Sequence, residues 1–292
     1  MLRDAVAWLQ CPVCGSGFFL SDESLRCRQG HAFDIARQGY VNLAPATAGR
    51  VTGDTSEMVR ARADFLGCGY YEPISQAVAE AALRFVTSAQ SPVDECVVDA
   101  GAGTGYYLAR VLDALPGRLG IALDVSKYAA RRAARAHDRA AAVVCDTWGR
   151  LPVRDASAAL ILDVFAPRNV TEFVRVLSPT GGLVVVTPTQ RHLGELIGPL
   201  GLLSVDERKG GRLADQLAGH FVQRECALIE WTMALPHADV LALVRMGPSA
   251  RHSDEPTVVT RIGNMAQPVT VTASVRVSAY ARAGASDAVG AV

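Results

Sequence analysis

Cys11, Cys14, Cys27 and His31 follow the spacing C-x2-C-x12-C-x3-H. Thiolates and an imidazole at such spacing are the ligand set of a tetrahedral zinc site. Two residues between Cys11 and Cys14 let both sulfurs reach one ion from a tight knuckle, and Gly15 and Gly30 supply the backbone freedom that such knuckles use. Four protein ligands leave no open position for water, so one structural zinc per chain is expected. The rival reading is a disulfide pair or free core thiols. It gives His31 no role, and residues 1–10, which carry Asp4 and no long apolar run, do not read as a secretory leader.

A second segment with chemistry in it is Cys96-Val-Val-Asp-Ala-Gly-Ala-Gly-Thr-Gly-Tyr106, read as strand, glycine-rich turn and helix. Gly101, Gly103 and Gly105 allow the backbone to pass close to a ligand where a Cβ would clash. A dinucleotide loop needs G-x-G-x-x-G, and the final position here is Tyr106. Acid-x-G-x-G-x-G, with Asp99 as the acid, is instead the loop of class I methyltransferases that use S-adenosylmethionine (SAM). Asp99 can orient that loop and act on the ligand's ammonium group. Asp124 ends the next strand, where a carboxylate can accept both ribose hydroxyls. Asp146 follows the third strand, within reach of an adenine amino group. Each acid alone reads equally well as a solvated strand end; the three in order after the glycine loop favour SAM.

The fourth strand ends in Leu160-Ile-Leu-Asp-Val-Phe-Ala-Pro167, where such enzymes place the acceptor. The Asn-Pro-Pro-Tyr/Phe motif used on exocyclic amines is absent. Asp163 is a candidate general base or a structural residue at the strand edge. Phe165 is a plain core aromatic or a surface on which a base stacks.

The elements that must position these residues are legible from periodicity. Strands are expected at Cys96–Ala100, Leu119–Asp124, Ala141–Cys145, Ala158–Phe165 and Gly182–Thr187, with helices at 106–115, 126–137, 169–177 and 190–200 between them. Near-continuous apolar strands alternating with helices predict an α/β fold with a parallel, Rossmann-like sheet covered on both faces. Helices are also expected at 55–66, capped by Thr55 or Ser56, and at 73–89. Beyond residue 210 the expectation is a helix at 212–219, a strand at 220–234, a helix at 237–246 and a strand at 270–281; the two strands can close the sheet as an antiparallel pair. The domain reading is a zinc-binding module at 1–43, a linker at 44–55, a SAM-dependent methyltransferase domain at 56–283 and a loose tail at 284–292. Phe18, Phe19, Phe33 and Val41 can wrap the metal, since so short a segment builds no core unaided.

Composition excludes several classes. Apolar residues make up 50% of the 292 and charged residues 20%, which fits a packed globular chain. No apolar run is long enough to span a membrane. Net charge is zero, so nucleic-acid binding must come from local patches. One lies between Arg118 and Arg154, where Arg131, Arg132, Arg135 and Arg139 fall on a predicted helix; a solvated helix face is the plainer reading. Cys68, Cys96, Cys145 and Cys226, outside the metal cluster, read as buried free thiols of a cytoplasmic protein.

Several stretches together resemble the RlmA-type large-subunit (23S) rRNA guanine-N1 methyltransferases, the group that includes macrolide-resistance enzymes. They are the zinc knuckle, Phe33-Asp-Ile-Ala-Arg-Gln-Gly-Tyr-Val-Asn-Leu43, Phe65-Leu-Gly-Cys-Gly-Tyr-Tyr-Glu-Pro73, Asp99–Tyr107, Leu123–Lys127, Phe165–Pro167 and Arg191-His-Leu193. The resemblance covers residues 11 to 193; the C-terminal third is similar in pattern only. It implies that Tyr71, Thr104, Gly105 and His192 contact SAM, although His192 by itself reads as a surface helix residue. It also implies that the zinc module helps grip a 23S rRNA hairpin in the cleft of a homodimer. Asp-Val-Phe-Ala-Pro-Arg-Asn resembles the branch from macrolide producers and Gram-positive bacteria, which implies a guanine in hairpin 35 and resistance to a macrolide. Arg37, Arg131, Arg132 and Arg135 are then plausible phosphate contacts. A SAM enzyme acting on a small molecule, or a non-enzymatic zinc RNA-binding protein with a degenerate SAM fold, are the alternatives. The first gives the zinc knuckle no use, and the second does not explain an intact Asp99, glycine loop and Asp124.

Overall fold

A computed structural model describes residues 2–44, 53–202, 209–251 and 254–284. Most of the expected linker and all but the first residue of the expected tail lie outside the described residues. The chain starts with helix α1 (Leu2–Ala5) and a small antiparallel sheet, β1 (Phe18–Ser21), β2 (Ser24–Cys27) and β3 (Ala32–Asp34). Strand β4 (Tyr40–Asn42) then leaves that sheet. Helices α2 (Ser56–Gly67) and α3 (Glu72–Ser88) lead into the alternating region: β5 (Cys96–Ala100), α4 (Tyr106–Ala114), β6 (Gly120–Asp124), α5 (Lys127–Ala133), β7 (Ala140–Val144), β8 (Ala158–Val164), α6 (Val170–Val176), β9 (Leu177–Pro188) and α7 (Gly194–Leu200). The C-terminal third adds α8 (Lys209–Leu217), β10 (Phe221–Leu235), α9 (His237–Met246), α10 (Glu255–Gly263) and β11 (Val269–Arg282).

The main sheet has eight strands in the order β10-β11-β9-β8-β5-β6-β7-β4. Strands β4 to β9 within it run parallel, and β11 is antiparallel to both β9 and β10. This is the class I methyltransferase sheet that the alternating pattern predicts, closed by the expected antiparallel pair. The order reverses at β5, with β6 on one side and β8 on the other, and ligands of open α/β sheets bind outside the carboxyl ends at that point. Central strands β5, β7 and β8 are buried along their whole length, which is why they read as unbroken apolar runs.

Two apolar layers cover the sheet. One holds Phe65, Ile74, Val78, Leu108 and Leu112 from α2, α3 and α4. The other holds Phe173 and Val176 of α6 and, unexpectedly, Leu2, Leu9, Phe18 and Leu25 of the N-terminal region. The metal-binding segment thus shares its core with the sheet, and Tyr40–Asn42, grouped by sequence with the zinc module, pairs with β7 from Ala142 to Val144. Val41 is fully buried there, and Phe19 is half-exposed; of the aromatics expected around the metal, Phe18 and Phe33 meet edge to face with centroids 5.7 Å apart.

Several boundaries move for local reasons. Helix α5 stops at Ala133, so Arg139 does not join the basic helix face. Its guanidinium donates to the carbonyls of Leu112 and Leu115 at the end of α4 and of Arg118 in the turn that follows, a structural task. Helix α7 begins at Gly194 because Leu193 takes a left-handed φ of 59°. Helix α10, capped by Asp254, was not anticipated. Cys96 and Cys145 are buried as expected; Cys68 and Cys226 are exposed, the first in a Gly-Cys-Gly turn and the second on the outer strand β10.

Candidate active site and metal centre

The four predicted ligands converge. The Cys27 sulfur lies 3.3 Å from His31 Nδ1 and 3.6 Å from the Cys14 sulfur, and the Cys11 sulfur lies 3.6 Å from the same Nδ1. All four donor atoms fall within 4.8 Å of one another. Ligands about 2.0–2.3 Å from a tetrahedral zinc stand roughly 3.3–3.8 Å apart, so the donor set fits the ion in both chemistry and size. Two local turns build it. Gly15 donates to the Cys11 carbonyl at 2.8 Å with φ +71°, and Gly30 donates to the Cys27 carbonyl at 3.0 Å with φ +86°. Cys11 and Cys27 are buried, and burial pushes the Cys11 thiol up; Cys14 is exposed, and its hydrogen bonds to Ser16 hold it down at about 6. Zinc is the metal this cluster holds.

A cleft of about 1310 Å³ opens at the carboxyl end of the main sheet. Its walls include Tyr71, Asp99, Gly101, Gly103, Thr104, Asp124, Asp146 and His192, so residues from across the first two hundred positions are brought to one surface. Gly105 shapes the loop from behind: with φ +79°, a Cβ there would sit 2.9 Å from the Cβ of Ala136. A Cβ on Gly101, φ +85°, would meet Ala166 at 2.7 Å, which holds the glycine loop against the acceptor loop.

Asp124 closes the loop on itself. Gly103 N–H donates to one carboxylate oxygen at 2.8 Å and Ser126 N–H to the other at 2.7 Å. Each oxygen keeps a lone pair, so hydroxyl groups can still be accepted. Asp99 is buried, one of its oxygens has no partner, and burial together with the nearby Asp124 pushes it up to about 8. A buried carboxyl with an orphaned oxygen beside a glycine cradle is the arrangement that a cationic ammonium group completes. SAM, an amino acid joined to a nucleoside, carries such an ammonium group at one end and ribose hydroxyls for a carboxylate such as Asp124 to accept at the other. Asp146 accepts from Trp148 N–H at 2.9 Å.

His192 is not on a surface helix. It is 9% exposed, in a turn before α7, and Ser274 N–H of β11 donates to its Nδ1 at 3.1 Å. Its Nε2 therefore carries the proton and donates to Tyr71 Oη at 3.2 Å. Burial pushes the imidazole down to about 4, so it is neutral at pH 7. Tyr71 sits in an aromatic nest of Phe65, Phe165, His192 and Trp231, and burial pushes its phenol far up.

At the acceptor end two expectations change. Asp163 does not line the cleft: it is fully buried, and Arg168 Nε stands 3.3 Å from its carboxylate. Burial pushes its pKa well up against the opposing pull of Arg168. A carboxyl sealed beneath the strand does not reach a substrate proton. Phe165, by contrast, is 41% exposed with a left-handed φ of 55°, which a plain core aromatic would not adopt. Arg168 and the exposed Trp148 also line the cleft, and neither was singled out from sequence. The Pro-Arg-Asn step after the fourth strand was the one available signal for Arg168.

A second groove of about 770 Å³ adjoins the first, sharing Leu66, Thr104 and Tyr106 with it. Arg60, Arg131, Arg132, Arg135, Tyr128 and Gln38 line it, so most of the predicted basic helix face borders the glycine loop. Arg37 is exposed nearby in sequence. Among the described residues no helix is long and apolar enough to cross a membrane.

Comparison with known proteins matches this geometry. Residues 9–50 fit the RlmA N-terminal zinc-ribbon family. A Micromonospora griseorubida protein provisionally named a 23S rRNA (guanine-N1)-methyltransferase is 52% identical, over 96% of this chain and 99% of that protein. The 23S rRNA (guanine(748)-N1)-methyltransferase of Streptomyces fradiae is 47% identical, over 91% of this chain and 93% of that enzyme. A Bacillus subtilis protein provisionally named a 23S rRNA (guanine-N1)-methyltransferase is 32% identical over 64% of this chain and 66% of that protein. With a zinc ribbon on a class I sheet and this identity along almost its whole length, the chain belongs to the family of the 23S rRNA (guanine-N1)-methyltransferases.

Proposed function

We propose that the protein methylates N1 of a guanine in hairpin 35 of 23S rRNA and thereby protects a ribosome from a macrolide. The near full-length identity to the Streptomyces fradiae guanine-748 enzyme carries this reading. When bound, SAM supplies a methyl group activated by its sulfonium. The chain's own residues bind, orient and exclude. Asp99 takes the ammonium end, Gly101, Gly103, Thr104 and Gly105 lie along the ligand, Asp124 accepts the ribose hydroxyls, and Asp146 faces the adenine. Tyr71, steered by His192, borders the reacting end. Phe165 offers an exposed ring on which an unstacked base can lie. Alignment of acceptor and donor in this cleft supplies much of the rate.

The zinc module (1–43) and the arginine groove of Arg131, Arg132 and Arg135 grip RNA phosphates, since a guanidinium pairs well with them. Two chains form the RNA cleft as a homodimer, which sedimentation with and without RNA tests. The decisive experiment is expression in a susceptible host that lacks the modification. A methyl on N1 blocks the Watson–Crick edge, so reverse transcription should stop one nucleotide before the modified guanine of hairpin 35, and the inhibitory concentration of a long-armed macrolide should rise. A stop without resistance removes the protective role and keeps the enzyme. Methyl transfer to small molecules alone, with no stop, overturns the reading.

A further inference from the structure

Resting on that guanine-N1 reading, we infer that Arg168 recognises the target guanine through its O6 and N7 edge and favours loss of the N1 proton, with Asp163 holding it in position. Arg168 is placed for this by two residues of its own loop. Phe165, three residues before it, presents a half-exposed ring at the end of β8. Asn169, the next residue, donates to the carbonyls of Thr147, Trp148 and Gly149 at 3.3, 2.9 and 2.9 Å. Those bonds tie the loop after β8 to the loop after β7, whose Trp148 is 61% exposed. Arg168 thus stands in one of two tied loops that each offer a flat apolar surface to the cleft.

Its guanidinium is used on one side only. Nε makes a charge contact with the buried Asp163 at 3.3 Å without a hydrogen bond to it, the side chain keeps 20% exposure, and the two terminal nitrogens have no hydrogen-bond partner among the described residues. Asp163 has no hydrogen-bond partner at either oxygen. A buried ion pair so poorly satisfied adds little stability, and apolar residues of similar volume would fill the space as well. What the pair does provide is a fixed direction for a planar fork. That fork matches the O6 and N7 acceptors of guanine, and adenine offers a donor in place of O6.

The same contact answers the question of the proton. With Asp163 sealed, the acid left at the acceptor end among the described residues is Glu230, which Arg191 already holds at 3.0 Å. Loss of the N1 proton moves negative charge onto O6, and a guanidinium waiting there stabilises that charge without reorganisation. In the balanced step the N1–H bond breaks and water takes the proton. The freed N1 pair forms the bond to the methyl group, and the methyl–sulfur bond breaks with its pair left on sulfur.

The test uses the full chain and a 23S rRNA transcript carrying either guanine or 2-aminopurine, which lacks O6, at the position the wild type methylates. Arg168→Gln should lower kcat at pH 7 by about a hundredfold, the usual effect of removing one preorganised donor to a developing oxyanion. Its rate should climb with pH across a range where the wild-type rate is flat. SAM affinity should stay unchanged, and the preference in binding for guanine over 2-aminopurine should disappear. Thermal melting checks the fold; should Arg168→Gln melt early, Arg168→Lys keeps the charge, loses the fork, and should show a reduced preference. A wild-type rate and preference in Arg168→Gln overturn the assignment. So does a loss of affinity for both transcripts with an unaltered pH profile, which is the mark of a phosphate contact. A wild-type chain that leaves the transcript unmethylated overturns the functional reading itself.

Discussion

The zinc cluster and the transfer cleft solve the same problem, bringing polar groups to one point, over very different lengths of chain. The cluster draws its ligands from positions 11 to 31 and positions them with two glycine turns. The cleft draws on residues from Gly53 to Arg276, and the sheet does the positioning. Local assembly needs the ion itself as the organising contact, because so few residues bury little apolar surface. Remote assembly needs none, because β5, β6 and β8 already hold Asp99, Asp124 and Phe165 at neighbouring strand ends. Removing one group should therefore have unequal consequences: collapse of a small region at the metal, and a graded loss of affinity in the cleft.

The largest effect should come at the metal. Cys14→Ser is the cleanest variant, since Cys14 is exposed and its loss empties no packed space. Apparent binding free energies of structural zinc are on the order of 10 kcal/mol, so most of the ordering of β1 to β3 should go with the ion. Elemental analysis should find the metal lost, and hydrogen exchange should rise over residues 10–34. SAM affinity should change by less than about threefold, because the cleft groups are held by the sheet and not by the ion. Retained metal would refute the ligand assignment; a large loss of SAM affinity would show that the shared apolar layer transmits the damage to the cleft.

Next comes Asp124→Ala. The variant deletes an acceptor for ribose and also frees Gly103 and Ser126, whose N–H groups it holds at 2.8 and 2.7 Å. Hydrogen bonds to charged groups are worth about 1.5–3 kcal/mol each, so SAM affinity should fall by roughly tenfold to a hundredfold in calorimetry. Wild-type affinity would move the ribose elsewhere in the cleft.

The contrast also explains what could be read in advance. The cluster was visible because ligand spacing is a local property. The loop and the three strand-end acids were visible because βα units put such residues at one edge by construction. Asp163 misled because a strand end says nothing about which face a side chain takes, and here it points beneath the sheet edge toward Arg168. His192 misled because its burial depends on Ser274, eighty-two residues away on β11. The antiparallel β10 and β11 were legible as strands, while their part in the cleft walls, through Leu228, Glu230, Ser274 and Arg276, was not. The apparent independence of the N-terminal module dissolved for a similar reason: Leu9 pairs with Val153 and Val41 with Val143, both distant in sequence.

A smaller effect concerns proton linkage at Asp99. Burial and Asp124 raise its pKa to about 8, so at neutral pH the free protein holds this carboxyl mostly protonated. The charged form is the one that attracts an ammonium group. SAM binding should therefore release a proton below pH 8, and affinity should rise by up to about tenfold per pH unit between pH 6 and 7.5, while the ligand's amino group is still protonated. The sign for folding is opposite. A raised carboxyl pKa contributes stability that is full below the unfolded value near 4 and is lost as pH rises toward 8. Calorimetry in buffers of different ionisation enthalpy should detect the released proton in the wild type and not in Asp99→Asn; equal proton release in both would put the linkage on another group.

The smallest change, Tyr71→Phe, tests how far the cleft depends on a single hydroxyl. His192 is neutral, with its pKa held near 4 by burial, and its Nδ1 is occupied by Ser274 N–H at 3.1 Å. Its protonated Nε2 therefore donates to Tyr71, whose own proton is left to point at a ligand. Deleting the hydroxyl orphans one N–H and removes one neutral hydrogen bond, while the ring keeps its packing against Phe65, Phe165 and Trp231. Neutral hydrogen bonds contribute about 0.5–1.5 kcal/mol, so SAM affinity should drop by roughly twofold to tenfold. The drop should be the same at pH 5.5 and pH 8, because His192 titrates below that window and the Tyr71 phenol, raised by burial, above it. A loss that grows as pH falls from 8 to 5.5 would mean that His192 gains a proton when the hydroxyl goes, and that Tyr71 rather than burial keeps the imidazole neutral.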